Sequence, residues 1–150
     1  MAIEITRPGK YSLIVSTPVM PAAGTFGFGD NYKNLINYDQ LGAMVTNPVT
    51  IEPWNPATGT RVVSLDAGIL IHTGLPNPGL NRVVKQYRKS WANMPMPVIL
   101  HLVGTTVNHI ERAIKRLDEV DEVAAIELGL NDDISEDEAF DLVSAAAKME

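Results

Sequence analysis

The sequence contains no cysteine. Disulfides, thiolate metal sites and cysteine nucleophiles are excluded together, and the chain suits a reducing, cytoplasmic compartment. No apolar run approaches the roughly 18 residues of a membrane span. The opening Met1-Ala2-Ile3-Glu4-Ile5-Thr6-Arg7 lacks the basic start and apolar core of a secretory signal. Three scattered histidines and no thiol give no metal cluster. Basic charge is scarce where it would matter for nucleic acid. Residues 1–110 hold 8 basic and 5 acidic side chains, whereas residues 111–150 hold 4 and 13. An acidic last quarter does not wrap a phosphate backbone, and it reads as solvated helix faces. The glycines Gly24, Gly27 and Gly29 do not have the G-x-G-x-x-G spacing, so no dinucleotide site is assigned.

What remains is an ordinary globular composition. The 150 residues are 45% hydrophobic and 20% charged, with a mean hydropathy of +0.02. That length is one domain's worth of chain. Residues 1–15 read as a small hairpin, with Ile3 and Ile5 alternating before Pro8-Gly9 and Tyr11–Val15 returning. Residues 16–150 read as four strand-then-helix units. Pro18-Val19-Met20 is expected as a short buried strand, followed by a Gly-rich loop and a short helix near Asn31–Ile36. Leu41–Thr46 is the second strand. A long Pro- and Gly-rich stretch, from Asn47 to Asn77, follows it. Thr60–Val63 and Ile69–Ile71 could pair within this stretch, and a loop of that length inside a domain is usually functional.

Asn77 is expected to cap the next helix, with Pro78 at its first position. Leu80, Val83, Val84, Tyr87 and Trp91 form its buried stripe. Pro97–Val103 is a continuous apolar strand of the kind buried on both faces. Ile110, Ala113, Ile114, Leu117 and Val120 line the following helix. Val123–Leu128 is the last strand. Ser135 with Glu138 forms a capping box, and Phe140, Val143 and Ala147 are expected to line one face of a helix running to Glu150. No glycine closes that helix, which reads as an interrupted chain. Successive βα units imply a parallel sheet with right-handed crossovers. A closed (β/α)8 barrel needs eight units and about 250 residues.

The run Pro18-Val19-Met20-Pro21-Ala22-Ala23-Gly24-Thr25-Phe26-Gly27-Phe28-Gly29 closely resembles the opening strand and loop of class 1 dihydroorotate dehydrogenases. Leu41-Gly42-Ala43, Glu52-Pro53, Asn55-Pro56, Arg61-Val62 and Gly68-Ile69-Leu70 are similar to that family's second strand and long loop. So are Gly74-Leu75-Pro76-Asn77-Pro78-Gly79-Leu80, Pro97–Gly104 and Ala125-Ile126-Glu127-Leu128. The resemblance runs from about Pro18 to Leu128. It implies the first four βα units of an FMN-dependent (β/α)8 TIM barrel, with the N-terminal hairpin in front. It also implies an oxidoreductase that converts dihydroorotate to orotate in pyrimidine synthesis.

The resemblance places flavin contacts at Ala22, Ala23, Gly24, Asn47 and His101, and substrate contacts at Gly74, Leu75 and Asn77. Asp132 stands at the position of the family's catalytic base. The chain departs from the family at four places: Asn47 replaces a lysine, Ile71 and Gly129 replace asparagines, and Asp132 replaces the cysteine base. These departures fall on substrate and base positions, so dihydroorotate itself is not carried over with the fold. The readings from the residues alone remain a core histidine for His101, a helix cap for Asn77 and a solvated pair of acids for Asp132 and Asp133. The second functional reading is a non-catalytic half-barrel that binds or assembles. Under either reading the expected partner is a second copy or a chain carrying the other half, because half a barrel leaves two strand edges open.

Overall fold

The computed structural model describes residues 2–6, 12–29 and 31–147. Strand β1 (Ile3–Glu4) pairs antiparallel with β2 (Ile14–Val15). Pro8-Gly9 and Tyr11, expected at and beside the hairpin's turn, lie outside the described residues. Leu13 and Val15 of this hairpin are buried against Ala43, with Ile3, Ile99 and Ala125 packed around them. The hairpin therefore plugs one end of the inner sheet face.

The main sheet has three parallel strands in the order β3 (Met44–Val45), β6 (Val98–Val103), β7 (Val123–Gly129). Each is followed by a helix: α1 (Leu80–Trp91), α2 (Val107–Leu117) and α3 (Glu136–Ala146). Alternation along β6 sends Val98, Leu100 and Leu102 into the core beneath the helices. Ile99, His101 and Val103 point to the opposite, inner face, opposite Ala125, Glu127 and Gly129 of β7. The stripes expected on α1 and α2 meet there: Leu80, Val83, Val84 and Trp91 with Ile110, Ala113, Ile114, Leu117 and Val120. The Trp91 indole also donates to the Phe28 carbonyl at 2.6 Å, tying α1 to the Gly-rich loop.

The structure departs from four sequence expectations. Pro18-Val19-Met20 is neither strand nor buried. It runs beside the second unit through one backbone bond, Gly42 N–H to Val19 O at 2.8 Å, and Val19 is 57% exposed. Pro18 and Pro21 cannot donate to a ladder, and only one side of the segment has a neighbour. Residues 31–36 form turns, with a 3-10 turn at Tyr38–Gln40, instead of an α-helix. One isolated turn does not repay helix nucleation; Phe26, Tyr32 and Tyr38 instead cluster around the buried Met44 and Met96. The parallel sheet thus carries three complete βα units, with the first segment laid irregularly at its edge.

The third departure lies at α1. Its N-cap is Gly79, at φ +84° and with no side-chain cap bond, and the helix begins at Leu80. The fourth is the face of α3. Leu142 and Ala145 are buried against the core, while Phe140 is 71% exposed and Val143 and Ala147 face outward. Amphipathic periodicity could not separate two adjacent apolar stripes, and contact with α2 and Ile134 selects the Leu142 side. Residues 148–150, where the helix was expected to end, lie outside the described residues.

The long stretch after β3 folds back on itself. Trp54 pairs with Asn77, Ala57 bonds Thr73, and β4 (Val62–Leu65) and β5 (Gly68–Ile71) form an antiparallel ribbon at its tip. Every ribbon residue is exposed, including Val62, Leu65, Ile69 and Leu70.

Candidate active site

Parallel strands deliver their loops to one end of the sheet, and in barrels that end carries the chemistry. The first loop turns at Ala22–Thr25, where the Thr25 amide and hydroxyl both donate to Ala22 O, at 3.2 and 2.6 Å. Gly24 sits at φ +84°, a conformation that favours glycine, and a Cβ there would meet nothing within 4 Å. The amides of Ala23 and Gly24 make no hydrogen bond among the described residues. The space beside Gly24, open where a side chain would stand, admits a flat, hydrogen-bonding ligand.

Asn47 holds this loop. Its Oδ1 accepts from the Gly27 amide at 3.0 Å, and its own amide donates to Gly27 O at 2.7 Å. The side chain expected to meet the cofactor thus has a structural task, which leaves its NH2 for a ligand. Thr46, fully buried, continues the link: its hydroxyl donates to Asn47 O and accepts from the His101 amide, both at 3.0 Å.

His101 lies on the face of β6 turned away from the helices. Its side chain is 15% exposed, and Nδ1 lies 2.5 Å from Oε1 of Glu127, its direct cross-strand partner. A Cβ on Gly129 would stand 2.8 Å from His101 Nε2 and 3.0 Å from Val103 Cγ2. Gly129 is therefore the residue that leaves room for the imidazole. Sequence reasoning missed Glu127 as a partner. Aligning the C-terminal ends of the two parallel strands would have found it.

The Gly74–Asn77 segment is built as a tight hook. Gly74 and Leu75 are both left-handed, at φ +70° and +53°. Gly74 is obligatory, because a Cβ would lie on the Ala57 backbone nitrogen. Leu75 carries a cost of about 1 kcal/mol or more for a non-glycine residue in this region. The hook is held by the Leu75 amide donating to Thr73 Oγ1 at 3.2 Å. It is held again by Asn77, only 7% exposed, whose NH2 donates to Leu75 O at 3.2 Å. Asn77 Oδ1 also accepts from the amides of Gly79 and Thr50. Asn77 is thus a clamp between loops and not the α1 cap.

Leu75 and Asn77 line a cavity of about 290 Å³ with Thr50, Trp54, Thr105, His109 and Asn131 among its walls. Ala22–Gly24, Asn47, His101 and Asp132 are not among its lining residues. Asp132 is exposed in the turn after β7, where the Ile134 amide bonds Asn131 O. Among the described residues no group of three or more His, Asp or Glu could hold a metal ion, and no helix is long and apolar enough to cross a membrane.

The sequence model of the dihydroorotate dehydrogenase family matches residues 12–131, from β2 through the turn that carries Asn131. The chain belongs to the dihydroorotate dehydrogenase family. The catalytic subunit of dihydroorotate dehydrogenase B (NAD(+)) from Halalkalibacterium halodurans is 34% identical over 131 residues, 87% of this chain and 41% of that protein. The subunit of the same name from Desulforudis audaxviator is 34% identical over 119 residues, 79% of this chain and 39% of that protein. The chain thus spans about two-fifths of the length of these relatives. In this member of the family, the altered positions have visible tasks or places. Asn47 pins the first loop, Gly129 admits His101, and Ile71 stands on the exposed ribbon, away from the cavity.

Proposed function

We propose that this chain is the N-terminal portion of an FMN-dependent oxidoreductase acting on a small CH–CH substrate of the dihydroorotate type. The observation that carries the reading is the Ala22–Gly24 turn at the sheet's loop end. It has two amides unpaired among the described residues, beside a glycine with open space, in a loop pinned by Asn47. These residues fit one edge of a flavin ring, with Ala22, Ala23, Gly24, the Asn47 NH2 and His101 as contacts. Bound FMN would supply the hydride acceptor.

This chain's own groups would position the reactants. Gly74 and Leu75 would offer the substrate a preformed left-handed hook, whose ordering cost is met by the fold. Asn77 would act through that hook by holding Leu75 O. Asp132 would be free to approach substrate from the β7 loop. The remaining flavin contacts would come from a chain segment or partner that continues the barrel. Both lateral edges are prepared for one. Val19 stands exposed at the first edge, and Phe140 and Val143 stand exposed on α3 at the other. The word "subunit" in the relatives' names and the uncovered apolar ribbon 62–71 support a protein partner, a second copy or a different chain. The absence of a membrane-length helix among the described residues and the lack of cysteine support a cytoplasmic setting.

Visible absorbance on the same sample as size-exclusion chromatography tests the reading. A flavin band co-eluting with a dimer or larger species, or restored by added FMN, is the expected result. A folded protein that stays colourless with excess FMN would overturn it and leave a non-catalytic binding or assembly module.

A further inference from the structure

We propose that His101 Nε2 is the proton-accepting atom of this site, held bare and aimed by Glu127; this rests on the oxidoreductase reading above. Three observations converge on it. A carboxylate offers only acceptors, so the 2.5 Å contact with Glu127 requires the imidazole hydrogen on Nδ1. In the neutral imidazole the other nitrogen, Nε2, is then a lone-pair acceptor, and it makes no hydrogen bond among the described residues. Finally, Nε2 lies against Gly129, at the loop end of β7, where any larger residue would displace the ring.

The arrangement matches the orienting logic of a carboxylate–histidine pair. One nitrogen is fixed by an anion so that the other can take a proton, and the anion stabilises the imidazolium that forms. The backbone enforces the ring's position as well. The His101 amide is bonded to the buried Thr46 hydroxyl, and Glu127 is its register partner in an uninterrupted stretch of parallel pairing. Asp132, by contrast, lies exposed with no partner among the described residues positioned to orient it.

The step is a proton transfer. A substrate C–H bond next to a carbonyl breaks, and the proton forms the Nε2–H bond. The electron pair stays with the substrate carbon, and Glu127 balances the new positive charge. His101 touches the substrate in this account; Glu127 is a positioning residue.

The decisive measurement needs no cofactor. Long-range proton–nitrogen correlation on protein with 15N-labelled histidine reports which ring nitrogen of His101 carries hydrogen in its neutral form. The expected result is a bare Nε2 in the wild type and in Glu127→Gln, which keeps an acceptor. Glu127→Ala should move the hydrogen to Nε2. Glu127 is half exposed, and a melting curve checks that the variants stay folded. A wild type with hydrogen on Nε2, or an unchanged tautomer in Glu127→Ala, overturns the proposal.

In flavin-loaded protein, His101→Ala is expected to slow anaerobic bleaching of the flavin band by dihydroorotate about 100-fold or more. The comparison is made at saturating FMN, because His101 also borders the flavin, and the loss should fall in kcat and not in KM. A loss below threefold with the band retained also overturns it. A protein that holds no flavin defeats the oxidoreductase reading alone, and the tautomer experiment still decides the role of Glu127.

Discussion

Replacing Asn77 with alanine removes an amide that joins three loop segments. Its Oδ1 accepts from the Gly79 amide at 3.0 Å and the Thr50 amide at 3.2 Å, and its NH2 donates to Leu75 O at 3.2 Å. The Thr50 hydroxyl also lies 3.1 Å from Oδ1, but its single hydrogen goes to Glu52 O at 2.5 Å, so it adds nothing to the sum. Alanine leaves the Gly79 amide unsatisfied in a buried position and the Thr50 amide in a half-buried one. A buried donor without a partner costs about 1–3 kcal/mol. Water can reach the Thr50 side, so the total should be about 2–4 kcal/mol. Thermal unfolding should register it as a fall of roughly 10 °C.

Asn77→Asp separates this clamp from a helix cap. Aspartate is as good a cap as asparagine, yet here it would turn an oxygen toward Leu75 O and bury a charge. Both variants should therefore be destabilised in urea titrations. If Asn77→Asp matches the wild type and Asn77→Ala loses only about 1 kcal/mol, as a cap would, the clamp argument is refuted.

Leu142→Ala should cost about 2–4 kcal/mol in denaturant unfolding, whereas Phe140→Ser should change stability by no more than about 0.5 kcal/mol. The reverse order would mean that α3 packs by its other face. Gly42→Ala should destabilise strongly, by about 3 kcal/mol or more, because its Cβ would lie on the Thr17 carbonyl oxygen. Gly24→Ala, with open space but φ +84°, should cost only about 1–2 kcal/mol; equal losses would contradict this difference. Arg88 Nε pairs with Glu122 Oε2 at 2.7 Å and, chiefly through that ion pair, holds the carboxyl below its ordinary 4.5. The pair's contribution is complete above that value and is lost as pH falls through the lower folded-state value. The stability gap between wild type and Glu122→Gln should thus close on acidification below about pH 4.5, and added salt should narrow it. A gap that widens in acid would invert the assignment.

The helical stripes of α1 and α2, the alternation of β6 and the Ser135–Glu138 capping box were legible in the sequence because each is local. A period of 3.6 or 2 reports which face of one element is apolar, and a capping box spans three residues. The glycine-bounded motifs were legible for a similar reason: Gly74 occupies a backbone conformation and a contact that admit almost nothing else.

Tertiary structure decided the rest. Phe140 and Leu142 both sit on apolar stripes of one short helix, and only the neighbouring α2 selects between them. Pro18–Met20 has strand-like composition but has a bonded neighbour on one side only. Asn77 stands two residues too early to cap α1, and its partners Thr50 and Leu75 come from other parts of a long loop. His101 and Glu127 are 26 residues apart, and only parallel register brings them face to face, with Gly129 empty enough to hold the ring. Periodicity carries the face of an element but no information about what stands opposite it. Pairing across elements is a property of the assembled sheet, and the site is made of such pairs.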